Sequence, residues 1–208
     1  MIGSGGHAKV LASIIAKLGL RLDYLSTQEK QITQKFKNIK HVTDSYIESE
    51  IDPKKYLLIN GIGPNPYNNN RRDIYKKFKD LSFNFATIIS KDALLDKDVK
   101  VSEGVQILDG VQINTGSKIG IGTVVNSKSL IDHDCDIGEH NNISPGVVIC
   151  GGVKTSTQVY IGAGAVIVNG INISRNSVIG AGVSVVKDIK QDRIILPAKN
   201  IVKSNERV

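Results

Sequence analysis

The chain is poor in the residues that mark several large classes of protein. It has no tryptophan and is 5% aromatic, although its formal net charge is +7. Because nucleic-acid-binding surfaces usually set aromatic side chains among basic ones, we expect no nucleic-acid partner. Its two cysteines, Cys135 and Cys150, indicate neither a disulfide scaffold nor a zinc cluster. It also lacks any apolar run of membrane-spanning length and any signal-peptide pattern, so we expect a cytoplasmic protein with no membrane partner.

An aliphatic residue returns at every sixth position over residues 101–185. The series is Val101, Ile107, Ile113, Ile119, Val125, Ile131, Ile137, Ile143, Ile149, Ile161, Ile167, Ile173, Ile179 and Val185, with Thr155 as its single exception. A period of six fits neither an α-helix nor a simple strand, and it predicts a parallel β-helix built from hexapeptide repeats. Three hexads complete one triangular turn, so each aliphatic residue stacks on another eighteen positions away. Glycines such as Gly120 and Gly122 suit the corners.

The chain begins with a glycine-rich turn, Gly3-Ser4-Gly5-Gly6, followed by apolar residues at helical spacing up to Gly19. Such a turn can hold a phosphate on free backbone N–H groups at the positive end of the helix dipole, as in βαβ nucleotide-binding units. Only Met1 and Ile2 precede the turn, where these units have a hydrophobic strand. The sequence leaves open whether that strand is mostly missing or whether this start is internal to the natural chain.

Strand and helix patterns continue to residue 89. We predict strands at 22–25, 56–59 and 83–89 and a basic amphipathic helix at 71–78. A polar segment, 28–50, lies between the first two strands, and we interpret its His41 as a solvated residue. We therefore place a Rossmann-like domain at residues 1–81 and the coil, with a C-terminal tail, at residues 82–208.

Several motifs resemble those of one known family. They are Gly3–Val10, Asn60–Gly63, Arg71–Tyr75, Ile131–Gly138, Ile143–Gly146 and Pro197–Lys199. In them the chain resembles the bacterial sugar acyltransferases that join a sugar-nucleotide-binding domain to a left-handed β-helix, such as the UDP-amino-sugar N-acetyltransferase of bacillosamine synthesis and the sialic acid O-acetyltransferases. The resemblance implies acetyl-CoA as co-substrate, a homotrimer with the coenzyme bound between subunits, and no metal. It also supplies the left hand of the coil, since the usual crossover rule favours the right hand.

Acetyl transfer needs a base, because the acceptor loses a proton as it attacks the thioester. His133 is the best candidate, since it stands at an outward hexad position between Asp132 and Asp134. A carboxylate that holds one ring nitrogen fixes the tautomer and raises the basicity of the other nitrogen. The resemblance gives this role to Asp134. Because adjacent side chains on a strand diverge, the contact requires a turn.

The resemblance also implies where the coenzyme binds. It places Asn142 and Gly151 near the acetyl group, and Ala163 and Ala181 along the pantetheine arm. Asn142 stands where the family often has a histidine, so it can form hydrogen bonds but cannot titrate. Backbone N–H groups at glycine corners can stabilise the tetrahedral oxyanion. The sequence leaves open whether His140 substitutes for Asn142 or has no role.

For the acceptor, the resemblance implies two glycine turns. The matching residues are Gly5, Gly6 and His7 in the first turn and Gly63 in the second. Two positions depart from the family. Its second strand is usually followed by acidic residues, where this chain has Ser26-Thr27-Gln28, and a family glycine near the end is Ile195. We expect different hydrogen bonds to the base or ribose and a different C-terminal loop.

The leading hypothesis is acetyl-CoA-dependent N-acetylation of a nucleotide-linked 4-amino-4,6-dideoxy sugar for bacterial surface glycans, by direct transfer with His133 as general base. The close alternative is O-acetylation of sialic acid or a related nonulosonic acid. A zinc-dependent hydratase on the same coil would need three histidines, of which the repeat offers His133 and His140. An inert sugar-nucleotide-binding protein is the remaining alternative.

Overall fold

A computed structural model describes residues 1–27 and 34–198, so Gln28 and Lys199 of the motifs above lie outside the described residues. A small α/β unit precedes a long coil of short parallel strands. Within residues 1–27 and 34–198, no helix combines the length and the apolar character that crossing a bilayer requires.

The α/β unit is built from short parallel strands and helices. Its described helices are α1 (Gly6–Lys17), α2 (Asp44–Glu50) and α3 (Asn70–Asp80), and its strands are β1 (Tyr24–Ser26), β2 (Lys40–Val42), β3 (Leu57–Leu58) and β4 (Asn84–Phe85), with a 3-10 helix at Gln34–Phe36. β1 pairs in parallel with β2, and β3 with β4. Ile2 joins the two pairs through parallel bridges to Ser26 and Asn60. The strand expected before the glycine turn is therefore present as a bridge at Ile2.

Two segments of this unit differ from the expectation. The polar segment contains β2 and α2, and His41 is half-buried with Nε2 at 2.8 Å from the Phe36 carbonyl oxygen. The strand predicted at 83–89 divides in two. Its first part, β4, stays in the α/β unit, whereas β5 (Ile88–Ile89) pairs with β8 (Gln106–Ile107) of the coil. Apolar content could not show this division, because apolar residues continue on both sides of it.

The coil consists of three parallel sheets, which form the faces of a triangular prism. The seven-stranded face contains β5, β8, β11 (Val124–Val125), β14 (Asn142–Ile143), β17 (Tyr160–Ile161), β20 (Val178–Ile179) and β22 (Ile194–Ile195). The six-stranded face contains β6 (Leu94–Leu95), β9 (Gln112–Ile113), β12 (Leu130–Ile131), β15 (Val148–Ile149), β18 (Val166–Ile167) and β21 (Ser184–Val185). The five-stranded face contains β7 (Lys100–Val101), β10 (Lys118–Ile119), β13 (Asp136–Ile137), β16 (Lys154–Thr155) and β19 (Asn172–Ile173). Successive turns pair at the predicted offset, as Ile119 does with Ile137. The architecture is that of the expected β-helix, and it begins two strands before the predicted series.

The aliphatic series forms a continuous buried column inside the coil. Ile131 and Ile149, which stack in successive turns, are both fully buried. Thr155 also points inward, and its Oγ1 accepts a hydrogen bond of 2.5 Å from the Asn141 side-chain amide. The Val159 N–H donates to Asn141 Oδ1 over 2.6 Å. The break in the repeat is therefore a buried polar pair whose hydrogen bonds are satisfied.

Helix α1 packs the α/β unit onto the seven-stranded face of the coil. Its Leu11 and Ile14 are buried in one cluster with Ile88 of β5 and Val124 of β11. Outward residues of the first strands of this face are therefore covered, and Gln106 of β8 is only 1% exposed. The packing fixes the two glycine turns of the α/β unit against the seven-stranded face of the coil.

Candidate active site

His133 and Asp134 form a hydrogen-bonded pair at the corner between β12 of the six-stranded face and β13 of the five-stranded face. Asp134 has a φ of 57°, and this left-handed turn brings the two consecutive side chains together. His133 Nδ1 lies 2.9 Å from Asp134 Oδ2. Because a carboxylate can only accept, Nδ1 carries the proton and Nε2 keeps its lone pair.

The surrounding charges make His133 more basic than a free histidine. The hydrogen bond that His133 donates to Asp134 raises the pKa of His133, and the charge of Asp132 raises it further. Asp132 Oδ1 accepts hydrogen bonds of 2.8 Å from the Asn114 amide and from the His133 backbone N–H, and these bonds lower the pKa of Asp132. The His133 side chain is 52% exposed, so a substrate can reach Nε2.

Gly151 lies against the ring of His133 at the same corner, one turn further along the coil. A Cβ added to Gly151 would lie 2.5 Å from His133 Nε2, so the ring occupies the space that any other side chain would need. Within residues 1–27 and 34–198, the Gly151 N–H donates to no protein acceptor. The predicted base and the predicted acetyl-group contact are thus adjacent in the folded chain.

The other predicted coenzyme residues lie elsewhere on the coil. Ala163 and Ala181 are exposed at the corner between the seven-stranded and six-stranded faces, in successive turns. Asn142 begins β14 on the seven-stranded face, where it is buried and its amide donates to Ser144 Oγ over 2.8 Å. That face lies across the prism from the His133 corner. One chain therefore does not bring His133 and Asn142 to the same acetyl group.

The predicted nucleotide turns lie together at the amino end of α1. Gly5 and Gly6 are exposed there, and the first turn of this 12-residue helix contains no acidic residue. Gly5, Gly63 and Thr27 line an open cavity of about 460 Å³. Thr27 Oγ1, at the position where the family has acids, lies 2.6 Å from Ser4 Oγ. A helix amino end that faces an open cavity suits a phosphate group.

His7 does not line that cavity, because its ring enters a buried network with the coil. Its Nε2 lies 2.7 Å from Gln106 Oε1, and Arg71 Nη2 donates to the same oxygen over 2.9 Å. Gln106 Nε2 donates to the Asn60 carbonyl over 2.9 Å. Arg71 Nη1 donates to the carbonyls of Asn60 and Ile62 over 2.8 and 2.7 Å. One glutamine of the coil therefore ties together both glycine turns.

The environment of this network keeps His7 uncharged. Burial, followed by the charge of Arg71, lowers the pKa of His7 to about 4. Burial likewise lowers the pKa of Arg71 to about 9. Sequence reasoning missed Gln106, because a polar residue at an outward position of a hexad normally faces solvent and carries no signal.

A second cleft separates the segment 64–69 from the coil. Its volume is about 210 Å³, and none of the described residues that line it is acidic. Its polar lining includes Arg71, Arg72, His140, Asn142, Gln158 and Asn176. Burial, followed by the charges of Arg71 and Arg72, lowers the pKa of His140 to about 4. His140 packs edge to face on Tyr75, with ring centres 5.1 Å apart. The cleft combines guanidinium groups with neutral polar side chains.

The described residues contain no group of three or more His, Cys, Asp or Glu side chains placed to hold a metal ion. The hydratase alternative would require His133 and His140 at one metal. They lie at different corners of the coil, on either side of β13, so they do not converge within one chain.

Comparison with known proteins gives matches to both parts of the chain. Residues 1–78 match the model of the PglD N-terminal domain. PerB from Caulobacter crescentus, solved in complex with CoA and GDP-perosamine, is 26% identical, with a TM-score of 0.85 over 94% of this chain and 92% of that one. The acetyltransferase domain of PglB from Neisseria gonorrhoeae FA1090 is 25% identical, with a TM-score of 0.86 over 96% and 97%. WeeI from Acinetobacter baumannii AYE shares the fold at 18% identity, with a TM-score of 0.82 over 94% of each chain.

Proposed function

We propose that this acetyltransferase with hexapeptide repeats acetylates the amine of a nucleotide-linked 4-amino-4,6-dideoxy sugar. The donor is acetyl-CoA, and the product serves bacterial surface glycan synthesis. Support for a nucleotide-linked acceptor comes from PerB, which binds GDP-perosamine, and from the open cavity at the amino end of α1.

His133 is the general base of the proposed reaction. The amine attacks the thioester carbonyl, and its proton passes to His133 Nε2, the nitrogen left free by the bond between Nδ1 and Asp134. Collapse of the tetrahedral intermediate forms the amide and breaks the carbon–sulfur bond. The proton then passes from His133 to the departing CoA thiolate, which leaves the enzyme unchanged. Asp134 holds the tautomer and stabilises the imidazolium while it exists.

The free N–H of Gly151 is the proposed donor to the oxyanion. It lies beside His133 and has no acceptor in the described residues, so it can donate to the carbonyl oxygen as negative charge develops. Ala163 and Ala181 offer an exposed corner for the pantetheine arm. Cys135 is buried and its pKa is raised by burial, which suits direct transfer rather than a covalent enzyme intermediate.

The acceptor is held by the α/β unit in this proposal. Gly5, Gly6 and Gly63 contact its phosphates through backbone N–H groups. His7 supports this site indirectly. Its neutral ring is hydrogen-bonded to Gln106, and this bond fixes the shape of the first glycine turn.

The complete site lies between two subunits of a homotrimer. Asn142 is on the face opposite the His133 corner, so an acetyl group that contacts both must lie between one chain's corner and another chain's seven-stranded face. A trimer is one of the closed symmetries that homo-oligomers adopt. Asn142 then hydrogen-bonds near the acetyl group, as its amide can both donate and accept.

The single observation that carries the proposal is the juxtaposition of His133, Asp134 and Gly151 at one corner of the coil. It supplies a base, its orienting carboxylate and an oxyanion donor in one place. The two other functions considered from the sequence have weaker support. The hydratase lacks converging histidines within one chain. An inert binding protein would give no role to a histidine of raised pKa beside an N–H that has no acceptor in the described residues.

The test is an acceptor screen with acetyl-CoA and detection of released thiol. UDP- and GDP-linked 4-amino-4,6-dideoxy sugars are compared with free and CMP-linked sialic acids, and His133→Ala is the control. We expect turnover only with the amino sugars, a product gain of one acetyl group, and resistance of that product to hydroxylamine, which cleaves esters but not amides. A hydroxylamine-labile product on a sialic acid would establish the O-acetyltransferase alternative instead.

A further inference from the structure

Non-glycine residues with left-handed backbone are concentrated at one corner of the coil. Most corner residues with positive φ are glycines, including Gly104, Gly110, Gly116, Gly122, Gly146, Gly152, Gly164, Gly170 and Gly182. At the corner between the five-stranded and seven-stranded faces, three successive turns instead carry His140, Gln158 and Asn176, with φ values of 53°, 58° and 54°. Residues with a Cβ are disfavoured in this conformation. The presence of three such residues in successive turns at one corner therefore points to a role for their side chains.

These three residues, here named the recognition wall, all line the cleft against segment 64–69. Gln158 is fixed across the cleft, since its amide donates to Asn69 Oδ1 over 2.9 Å and its carbonyl oxygen accepts from Arg72. Asn176 donates to Asp192 Oδ1 over 3.0 Å and keeps its own oxygen available. Neither ring nitrogen of His140 has a hydrogen-bond partner among residues 1–27 and 34–198. The wall therefore presents unused polar atoms to the cleft.

The chemistry of the cleft selects a class of ligand. Amide groups and a neutral imidazole can each accept or donate, which matches the hydroxyl groups of a sugar ring. Arg72 at the same cleft can meet a sugar-linked phosphate, and no described lining residue is acidic. The segment 61–63 joins this cleft to the nucleotide cavity, because Gly61 and Gly63 line that cavity and Pro64 begins the cleft wall.

We propose that the recognition wall binds the sugar ring of the acceptor and decides which nucleotide-linked sugar is accepted. This inference rests on the proposed function and adds the residues that set its specificity. His140 contributes most, because its ring nitrogens have no hydrogen-bond partner among the described residues and would gain one from a bound ligand.

The test replaces each member of the wall with glycine. Glycine relieves the left-handed backbone, so His140→Gly, Gln158→Gly and Asn176→Gly remove side chains without adding backbone strain. Lys128→Gly is the matched control, because Lys128 has a φ of 60° at a different corner and does not line the cleft. For His140→Gly we expect the KM for the amino-sugar acceptor to rise about tenfold, as for one lost hydrogen bond. The KM for acetyl-CoA should stay unchanged, and Lys128→Gly should change neither constant.

His140→Asn provides a second variant, since asparagine tolerates left-handed backbone and keeps a hydrogen-bonding group. It should recover part of the acceptor affinity and change the preference among nucleotide-linked sugars. An acceptor KM that stays at the wild-type value in all three glycine variants would overturn the proposal. So would a rise confined to the KM for acetyl-CoA, which would assign the cleft to the coenzyme.

A binding measurement separates this inference from the proposed function. Thermal shifts are recorded for UDP- and GDP-linked amino sugars and for UDP and GDP alone. The recognition wall predicts tighter binding of the preferred nucleotide sugar than of its nucleotide, and loss of that difference in His140→Gly. This result would uphold the wall even if the wild type transferred no acetyl group, an outcome that would reject only the proposed function. Equal binding of sugar and nucleotide by the wild type would reject the wall.

Discussion

The imidazole of His133 occupies the space where Gly151 would carry a side chain, since an added Cβ would lie 2.5 Å from Nε2. The two residues are eighteen positions apart, which is one turn of the coil. The ring orientation therefore depends on the absence of a side chain in the next turn. This relationship leads directly to a test of the proposed base.

Gly151→Ala should displace the His133 ring and lower kcat by about 100-fold, because small misplacements of a catalytic group have effects of that order. Steady-state kinetics and a melting curve would separate this effect from unfolding. The same substitution in a His133→Ala background should cost almost nothing further, because the ring that it displaces is absent. Equal losses in both backgrounds would mean that Gly151 acts independently of His133.

The rate should depend on pH through His133. Its pKa is raised above the usual 6.5, first by Asp134 and then by Asp132, and only the neutral ring can act as base. kcat/KM should therefore increase with pH until the raised pKa is passed. Asp134→Asn removes the larger cause, so the acidic limb should move to lower pH while the maximal rate falls. Asp132→Asn is the comparison, with a smaller shift expected. A limb that does not move in Asp134→Asn would contradict the assignment of His133 as base.

A site shared between the subunits of the proposed homotrimer predicts complementation. Alone, His133→Ala should be nearly inactive and Asn142→Leu should be impaired, because each substitution is present at every site of its own trimer. Co-expressed chains form mixed trimers in which about a quarter of the interfaces regain both native residues, given random assembly and closed symmetry. Recovery of activity to about that fraction, measured against separately purified and mixed proteins, would support the shared site. Mixed trimers without recovery would place both residues in one chain's site.

Restoring the aliphatic repeat should weaken the protein. Thr155→Ile completes the hexad series but removes the acceptor of the buried Asn141 amide, whose bond to Oγ1 is 2.5 Å long. Leaving such a group unsatisfied costs about 1–3 kcal/mol. We expect a lower free energy of unfolding in urea, whereas Thr155→Ser should lose less because it keeps the hydroxyl. A gain in stability in Thr155→Ile would show that the polar pair contributes nothing.

Gln106 should act on the acceptor through the turns that it holds. Gln106→Met keeps the approximate volume of the side chain but removes the acceptor of His7 and Arg71 and the donor to Asn60. We expect a higher KM for the nucleotide sugar, an unchanged KM for acetyl-CoA and a stability loss of about 1–3 kcal/mol. Gln112→Met, at the exposed equivalent position on the next strand, is the control. An unchanged KM for the sugar in Gln106→Met would limit Gln106 to a structural role.

The sequence alone determined the coil and its outward corners. Ile131 and Ile137 belong to the aliphatic series and point inward, so His133 between them lies outside the column. This prediction succeeds because each turn of a β-helix repeats the environment of the previous one, and burial then follows from spacing within a few residues. The pairing of His133 with Asp134 also follows locally, because the two residues share one corner.

Only the tertiary structure decided the contacts between distant parts of the chain. His7 contacts Gln106, 99 positions away in the sequence, and Asn141 donates to Thr155 inside the column. No local sequence pattern around His7 or Asn141 indicates these partners. The cleft beside His140 exists because α1 packs the α/β unit on the seven-stranded face, which sets segment 64–69 against the coil. Spacing reports which side of a strand a residue occupies, but it contains no information about which separate element will cover that side. The position of the proposed base could therefore be predicted from the repeat, whereas the wall proposed to bind the acceptor could not.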